Sequence, residues 1–301
     1  MKVLVVGAGF MGAGIANRFA RQDQTVNVLA PRRNSLLVDT VGFVHGRVEL
    51  GSHISELLSG IDVVVDAASS HVPATVQDSP ATATATSVGA SAWLAEQAVN
   101  AGVECFVYLS SGGTVYGGGS VAHRELDRPD PISSYGAMKL ASEHTISAIT
   151  RGTRTRAIYL RVANAYGPGQ NLARPQGIIG VAWRNHFNGE ATTLFGAKSD
   201  VRDFIYIDDV GDLCVIATRS GATGAINAGS GHAVSMEDLL IQMSAVAGVD
   251  LKVVPGGSRG FDVPHSVLDI GIARGLGWEP RVPLREGLTR TWRWMKDAAT
   301  G

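Results

Sequence analysis

The sequence predicts an α/β fold, a doubly wound parallel sheet with helices on both faces, and three observations predict it. Short continuous apolar runs, residues 3–6 the first of them, recur through the first half of the chain, as in strands buried on both faces. Segments of helical spacing alternate with these runs, the order that builds a parallel sheet. The first run passes directly into Gly7-Ala8-Gly9-Phe10-Met11-Gly12, a G-x-G-x-x-G turn between strand and helix.

Composition sets the outer limits. A chain of 301 residues, 45% apolar and 18% charged, can bury a large core as one domain or two interlocked ones, and wholesale disorder is excluded. A net charge of −1 supplies no basic field for nucleic acid or a membrane surface. Cys105 and Cys214 each lie in an apolar run and are expected as buried, reduced thiols rather than a disulfide or metal site. The opening residues run straight into a strand without a cleavable leader, and no apolar run approaches the roughly 18–20 residues of a membrane span. A cytoplasmic protein is expected.

In the glycine turn, Gly7 permits the tight bend, Gly9 lets backbone approach a pyrophosphate and Gly12 allows close helix–strand packing. The unpaired N–H groups at the helix start attract the anion. The second strand, 25–29, ends in Ala30-Pro31-Arg32-Arg33, without the acid that commonly binds the ribose 2′-hydroxyl of NAD. Guanidinium groups suit a 2′-phosphate, so NADP(H) is favoured and NAD is the alternative. A third strand is expected over 44–50, with Glu49 available to an adenine edge. The fourth, 62–67, leads into Ala67-Ala68-Ser69, small residues where backbone passes close to a cofactor. Residues 73–86, rich in Ala, Thr and Pro, read as a mobile loop before a helix over 87–101 and a fifth strand over 105–110.

That strand opens into Ser110-Ser111-Gly112-Gly113-Thr114, and ligands in such sheets bind beyond the strands' carboxyl ends. Tyr135 and Lys139 follow, four residues apart and therefore on one helical face. A free phenol, with a pKa of about 10, is a poor base near neutrality. A neighbouring ammonium, helped by an oxidised nicotinamide, lowers that value. A sixth strand, 156–161, precedes Asn164.

These motifs, SSGGTVYG (110–117), YGAMK (135–139) and LRVANAYGPGQ (160–170), continue with VRDFIYIDDV (201–210), NAGSG (227–231), LGWEP (276–280) and PLREGL (283–288). Together they resemble the extended short-chain dehydrogenase/reductases of the NAD(P)-dependent sugar-nucleotide epimerase/dehydratase family. The resemblance implies a Rossmann-type sheet from residues 1–167 plus roughly 203–228. It also implies a smaller C-terminal substrate-binding lobe from 168–202 and 229–301, and a homodimer. Tyr135 is then the acid/base, Lys139 its partner, and Thr114 or Ser111 the assisting hydroxyl. Cofactor contacts are implied for Gly7, Gly9, Phe10, Met11, Gly12, Arg32, Arg33, Glu49, Ala67, Ala68, Ser69, Ser87 and Ser110, besides Tyr135 and Lys139. Asn164, Gln176, Arg202 and Arg259 are implied to hold the nucleotide-diphosphate sugar. Asp208 and Asp209 are expected to bond backbone and cap the following helix, with no metal.

Several positions depart from the family pattern. Val6 replaces a leading glycine, Gly112 stands at the usual catalytic Ser/Thr, Ser87 at a relay asparagine and Ser266 at a tyrosine that senses the sugar. Gly113-Thr114 replaces the Asp-Glu pair of the 4,6-dehydratases, which argues against dehydration. Family frequency favours an NAD-dependent 4-epimerase. The missing acid, the arginine pair and the altered hydroxyl favour an NADPH-dependent 4-ketoreductase of a nucleotide 4-keto sugar, and the reductase is narrowly preferred. A cofactor-binding regulator without turnover is the third reading.

Overall fold

The structure, a computed structural model, describes residues 1–69, 73–170, 177–260 and 262–300. Strand β1 (Lys2–Val6), helix α1 (Phe10–Ala20) and strand β2 (Thr25–Ala30) come first. Strand β3 (Gly42–His45), the single turn α2 (Ser55–Leu58) and strand β4 (Val63–Asp66) follow. Alternate residues of each strand feed two different cores: Val3 and Val5 one, Leu4 and Val6 the other. A strand apolar on both faces has to be covered on both.

Strand β3 starts and stops earlier than the expected 44–50. It ends at His45, and a turn follows four residues on: Ser52 Oγ accepts the Glu49 N–H at 2.8 Å, and Gly51 takes φ +84°. Glu49 therefore stands on an exposed turn rather than in a strand.

The stretch expected as a loop, 73–86, is helical. Helix α3 (Pro73–Asp78) is followed by α4 (Pro80–Asn100), which absorbs the helix expected over 87–101. Both begin with proline, whose fixed φ and missing N–H suit a first helical turn. Of the alanines and threonines over 81–86, Ala83 is buried beside Val76 and Met138, while Ala81, Thr82, Ala85 and Thr86 are exposed. Thr86 Oγ1 returns to the Thr82 carbonyl at 2.8 Å, so its polarity is satisfied within the helix.

Strand β5 (Cys105–Ser111), the turn α5 (Gly112–Val115), helix α6 (Ser134–Thr150) and strand β6 (Arg156–Val162) complete the first half. Ser133 caps α6, its Oγ accepting the Gly136 N–H at 3.1 Å.

The chain then enters a second layer: β7 (Asn164–Tyr166), α7 (Ile178–Phe187), β8 (Thr192–Leu194), β9 (Val201–Arg202) and β10 (Phe204–Tyr206). Helix α8 (Ile207–Arg219) and strand β11 (Gly224–Ala228) return to the main sheet. The remainder is β12 (Val234–Ser235), α9 (Met236–Ala247), β13 (Val253–Pro255), β14 (His265–Ser266), α10 (Gly271–Gly275) and α11 (Leu284–Thr300).

Seven parallel strands lie in the order β11-β6-β5-β4-β1-β2-β3. The direction of winding reverses between β1 and β4, and ligand clefts open at the carboxyl ends beside such a reversal. On one face, Ile15 and Phe19 of α1 and Val210 and Leu213 of α8 cover the strands. Leu94, Ala95 and Ala98 of α4 and Ile146 of α6 cover the other. Gly14 is the point where α1 meets α8, since a Cβ there would overlap Ile207. A third core, with Trp183, Met243, Leu288 and Met295, holds the C-terminal helices together. Asp209 caps no helix. Its carboxylate accepts the N–H groups of Arg281 (2.9 Å) and Val282 (3.1 Å), and so ties the C-terminal segment to α8. No helix among the described residues is long and apolar enough to cross a membrane.

Candidate active site

The glycine turn sits at the reversal point. Gly7 has φ +102°, and a Cβ there would press on the Ala67 carbonyl at 2.7 Å, while one at Gly12 would overlap the Gly7 carbonyl. Around Gly9 there is open space, and no side chain caps the start of α1. The result is an uncovered helix N-terminus with a glycine floor, which fits the pyrophosphate of a dinucleotide. Phe10 and Met11 open α1, and Val6 sits in the core with 2% of its surface exposed. Ala67 and Ala68, just past β4, border the turn, and Ser69 follows them.

The basic pair after β2 behaves unequally. Arg33 donates to the carbonyls of Val41 (3.3 Å) and Val38 (3.4 Å), folding back onto its own loop. Asn34 donates to the Ala8 carbonyl at 3.0 Å, pinning this loop on the glycine turn. Arg32 is exposed.

Tyr135 and Lys139 lie on the inner face of α6, with Nζ 5.8 Å from the Tyr135 ring centre. Lys139 is buried, donates to the Leu109 carbonyl at 2.8 Å and lies 4.7 Å from the Tyr108 ring centre. Burial raises the Tyr135 phenol, the Lys139 ammonium opposes it, and the balance stays above the ordinary value. The lysine acts in the direction the four-residue spacing suggests, and burial outweighs it.

Thr114 and Ser111 are distinguished by packing. Thr114 Oγ1 is buried without a hydrogen-bond partner, and such an atom is costly unless something completes it. A Cβ at Gly112 would meet Leu268 Cδ1 at 2.5 Å and the Arg161 carbonyl at 2.8 Å, so the usual serine does not fit this backbone. Ser110, named as a cofactor contact, gives its hydroxyl to Glu143 instead. Glu143 is in turn paired with Arg161 at 2.7 Å, deep beneath α6. Ser87 is half-buried on α4.

The substrate side is shaped by the second layer. Asn164 is exposed at the start of β7 and donates its amide to the Asp203 carbonyl at 3.0 Å. Arg202 and Arg259 come together near a cleft of about 390 Å³ lined by Gly196, Ala197, Asp200, Ser258 and Asp262. Each arginine meets an acid: Arg259 grips Asp262 through two nitrogens (2.7 and 3.0 Å), and Arg202 is 4.0 Å from Asp200. The Arg259 guanidinium lies 4.4 Å from the Phe195 ring centre. Ser266 is buried, with Oγ facing Gly113. Gln176 lies outside the described residues.

Three participants escaped sequence reading. Asp66 ends an otherwise apolar strand, VVVD, and that lone charge is the signal it left. Glu143 stands one helical turn beyond Lys139, on the same face. Phe195 carries no signal beyond being an aromatic next to Gly196.

Comparison with known proteins settles the family. The model of the NAD dependent epimerase/dehydratase family matches residues 3–229. The chain belongs to this family. It is an enzyme of the extended short-chain dehydrogenase/reductase type. It is 31% identical over 312 residues to the UDP-glucose 4-epimerase of Mycolicibacterium smegmatis, covering 99% of both chains. A dTDP-4-dehydro-6-deoxyglucose reductase of Escherichia coli is 30% identical over 197 residues, 63% of this chain and 60% of the reductase. Among solved structures, MoeE5 in complex with UDP-glucuronic acid and NAD superposes with a TM-score of 0.90 at 30% identity, over 99% of this chain and all of the other.

Proposed function

We propose that this enzyme is an NAD-dependent 4-epimerase of a nucleotide-diphosphate hexose. One observation carries the reading: the Thr114 hydroxyl is buried and unpartnered on α5, which packs through the Thr114 carbonyl against Gly136, next to Tyr135 at the start of α6. Tyr135 Oη takes the proton of the sugar's C4 hydroxyl and returns it after the ketosugar has turned. Thr114 Oγ1 hydrogen-bonds the C4 oxygen, and Lys139 holds the nicotinamide ribose and steadies the phenolate. Arg202 and Arg259 hold the diphosphate, with Asn164 and Gln176 beside it. The bound nicotinamide supplies the acceptor and donor of the C4 hydride.

Two facts move the balance from reductase to epimerase. The epimerase relative matches the chain end to end, whereas the reductase matches 63% of it. Arg33, half of the basic pair that suggested NADP, is occupied by the Val38 and Val41 carbonyls. The reductase remains the second reading because Arg32 is exposed and no acid follows β2.

The first test is cofactor identity. Purified protein is denatured, the released nucleotide identified, and the emptied protein titrated with NADH and NADPH. Tightly held NAD⁺, with interconversion of UDP-glucose and UDP-galactose or their glucuronate counterparts, supports epimerisation. A protein that arrives empty and binds NADPH at least tenfold more tightly, about 1.4 kcal/mol, overturns it in favour of the reductase.

A further inference from the structure

Lys139 is a buried cation, with 6% of its surface exposed. Such a charge is costly unless its surroundings answer it. Of the ammonium's N–H groups, one meets an acceptor, the Leu109 carbonyl at 2.8 Å. Among the described residues no carboxylate forms an ion pair with it. Glu143, one turn on along α6, is taken by Arg161. Burial drives the Asp66 carboxyl at the end of β4 up, towards its neutral form, and outweighs the pull of Ser91 and Lys139.

What answers the charge is aromatic. Nζ lies over the Tyr108 ring, 4.7 Å from its centre, and over the Tyr135 ring at 5.8 Å. Both distances fall within the roughly 6 Å at which a ring face attracts a cation. Tyr108 is the nearer of the two and 2% exposed. On β5 it pairs with Asp66 of β4 and Tyr159 of β6, so neighbouring strands hold its backbone on both sides. Its side chain joins the core beneath α4 and α6, with Phe106, Leu94 and Ile146. Two consecutive residues of one strand thus grip the ammonium, Leu109 by its carbonyl and Tyr108 by its ring. Burial pushes the Tyr108 phenol well above its ordinary range, so the ring is neutral.

A neutral ring does what a carboxylate in its place could not. A carboxylate against Lys139 would offset the ammonium's charge at Tyr135. A ring face carries a quadrupole and no net charge, so it steadies the cation and leaves that field standing. It also occupies no N–H group, and those not given to Leu109 stay available to a ligand.

We propose that Tyr108 is a positioning residue: its ring face holds the Lys139 ammonium against the Leu109 carbonyl and leaves its other N–H groups free for the hydroxyls of the nicotinamide ribose. This rests on the reading of Lys139 as the residue that holds that ribose.

The test varies the charge on the ring face and keeps its size. Tyr108→Phe is made in the full chain, and again with phenylalanine carrying one, two or three fluorines, which draw electron density from the face by steps. NADH affinity is measured by fluorescence on nucleotide-free protein, in wild-type and Lys139→Met backgrounds. NADH is the probe because its nicotinamide carries no positive charge to act on Lys139. The expected result is a stepwise weakening, roughly 3- to 30-fold from no fluorine to three, that vanishes in Lys139→Met. Affinity that ignores the fluorines, while Lys139→Met weakens it, overturns the proposal. So does a weakening of equal size in both backgrounds, which would make the ring a part of the fold only. If Lys139→Met leaves NADH binding unchanged, the ribose reading of Lys139 fails instead, so the two failures are told apart. Tyr108→Leu against Tyr108→Phe, compared in the same two backgrounds, carries the test where a fluorinated chain does not fold.

Discussion

The Thr114 carbonyl lies so close to the α-carbon of Gly136 that a methyl group at position 136 would overlap it. This contact joins α5, which carries Thr114, to the start of α6, which carries Tyr135. Sequence alone makes Gly136 look like a flaw, because glycine weakens a helix interior. Its reason is a partner 22 residues earlier in the chain. Gly136→Ala forces α5 and α6 apart, at a cost of roughly 1–3 kcal/mol for an overpacked contact. Turnover falls further than this strain alone implies, since the phenol and hydroxyl lose their common geometry. Thermal melting and kcat on one preparation check both effects; unchanged kcat would show that this spacing does not matter.

The orphaned Thr114 hydroxyl predicts an asymmetry between the two candidate hydroxyls. Thr114→Ala lowers kcat by roughly 10²-fold, the lower range for loss of a proton-transfer partner, whereas Ser111→Ala changes it by less than about threefold. Thr114→Ser restores most of the loss. Steady-state kinetics with a UDP-hexose decides, and the reverse order would transfer the role to Ser111. The Gly112→Ser route to the usual arrangement is closed by Leu268 and the Arg161 carbonyl, so that variant loses stability rather than gaining rate.

The arginine pair predicts cofactor behaviour. Arg33→Ala removes two long hydrogen bonds to Val38 and Val41, each contributing about 0.5–1.5 kcal/mol at most. The loop over the glycine turn loosens, and affinity for NAD⁺ and NADP⁺ drops by a similar factor. Arg32→Ala changes the ratio of the two affinities by less than about threefold. Isothermal titration of both variants with both cofactors checks this. A selective loss of NADP⁺ binding in Arg32→Ala would return the enzyme to the NADPH-dependent reading.

How far the sequence reached is clearest from residues that went each way. The turn of the glycine motif, the placing of Tyr135 and Lys139 on one helical face and the strands at 25, 105 and 156 were legible because local pattern alone specifies them. Residues 73–86 were misread because threonine and proline disfavour a helix interior, and their weight was set above that of the alanines, the best helix formers. Two prolines at helix starts and the burial of Val76 and Ala83 beside Met138 of α6 reverse that weight, and such packing is invisible in one dimension. The length of β3 was overestimated because apolar Val44 and Val48 continue the pattern past Gly46, while the turn at Glu49–Ser52 depends on a side-chain hydrogen bond. Asp209 binds backbone as expected, but at residues 281–282, seventy positions away. That Arg33 folds back onto its own loop is likewise a tertiary fact.

Cys105 offers a test of the core that is independent of the reaction. Burial lifts its thiol from 9.0 to about 11, with Arg156 opposing and Glu104 adding slightly. A group whose folded value is raised contributes stability that is complete below its unfolded value and lost as pH climbs through the folded one. The window is therefore pH 9 to 11, and the loss across it is on the order of 2–3 kcal/mol. Cys105→Ala is less stable at pH 8, because it leaves a small cavity beneath β5. Its stability nevertheless falls less steeply between pH 9 and 11. Tyrosines that titrate in the same range do so in both proteins and cancel in the comparison. Urea midpoints measured at half-unit steps from pH 8 to 11 give the two slopes; parallel curves would mean that the folded thiol is not held protonated by the core.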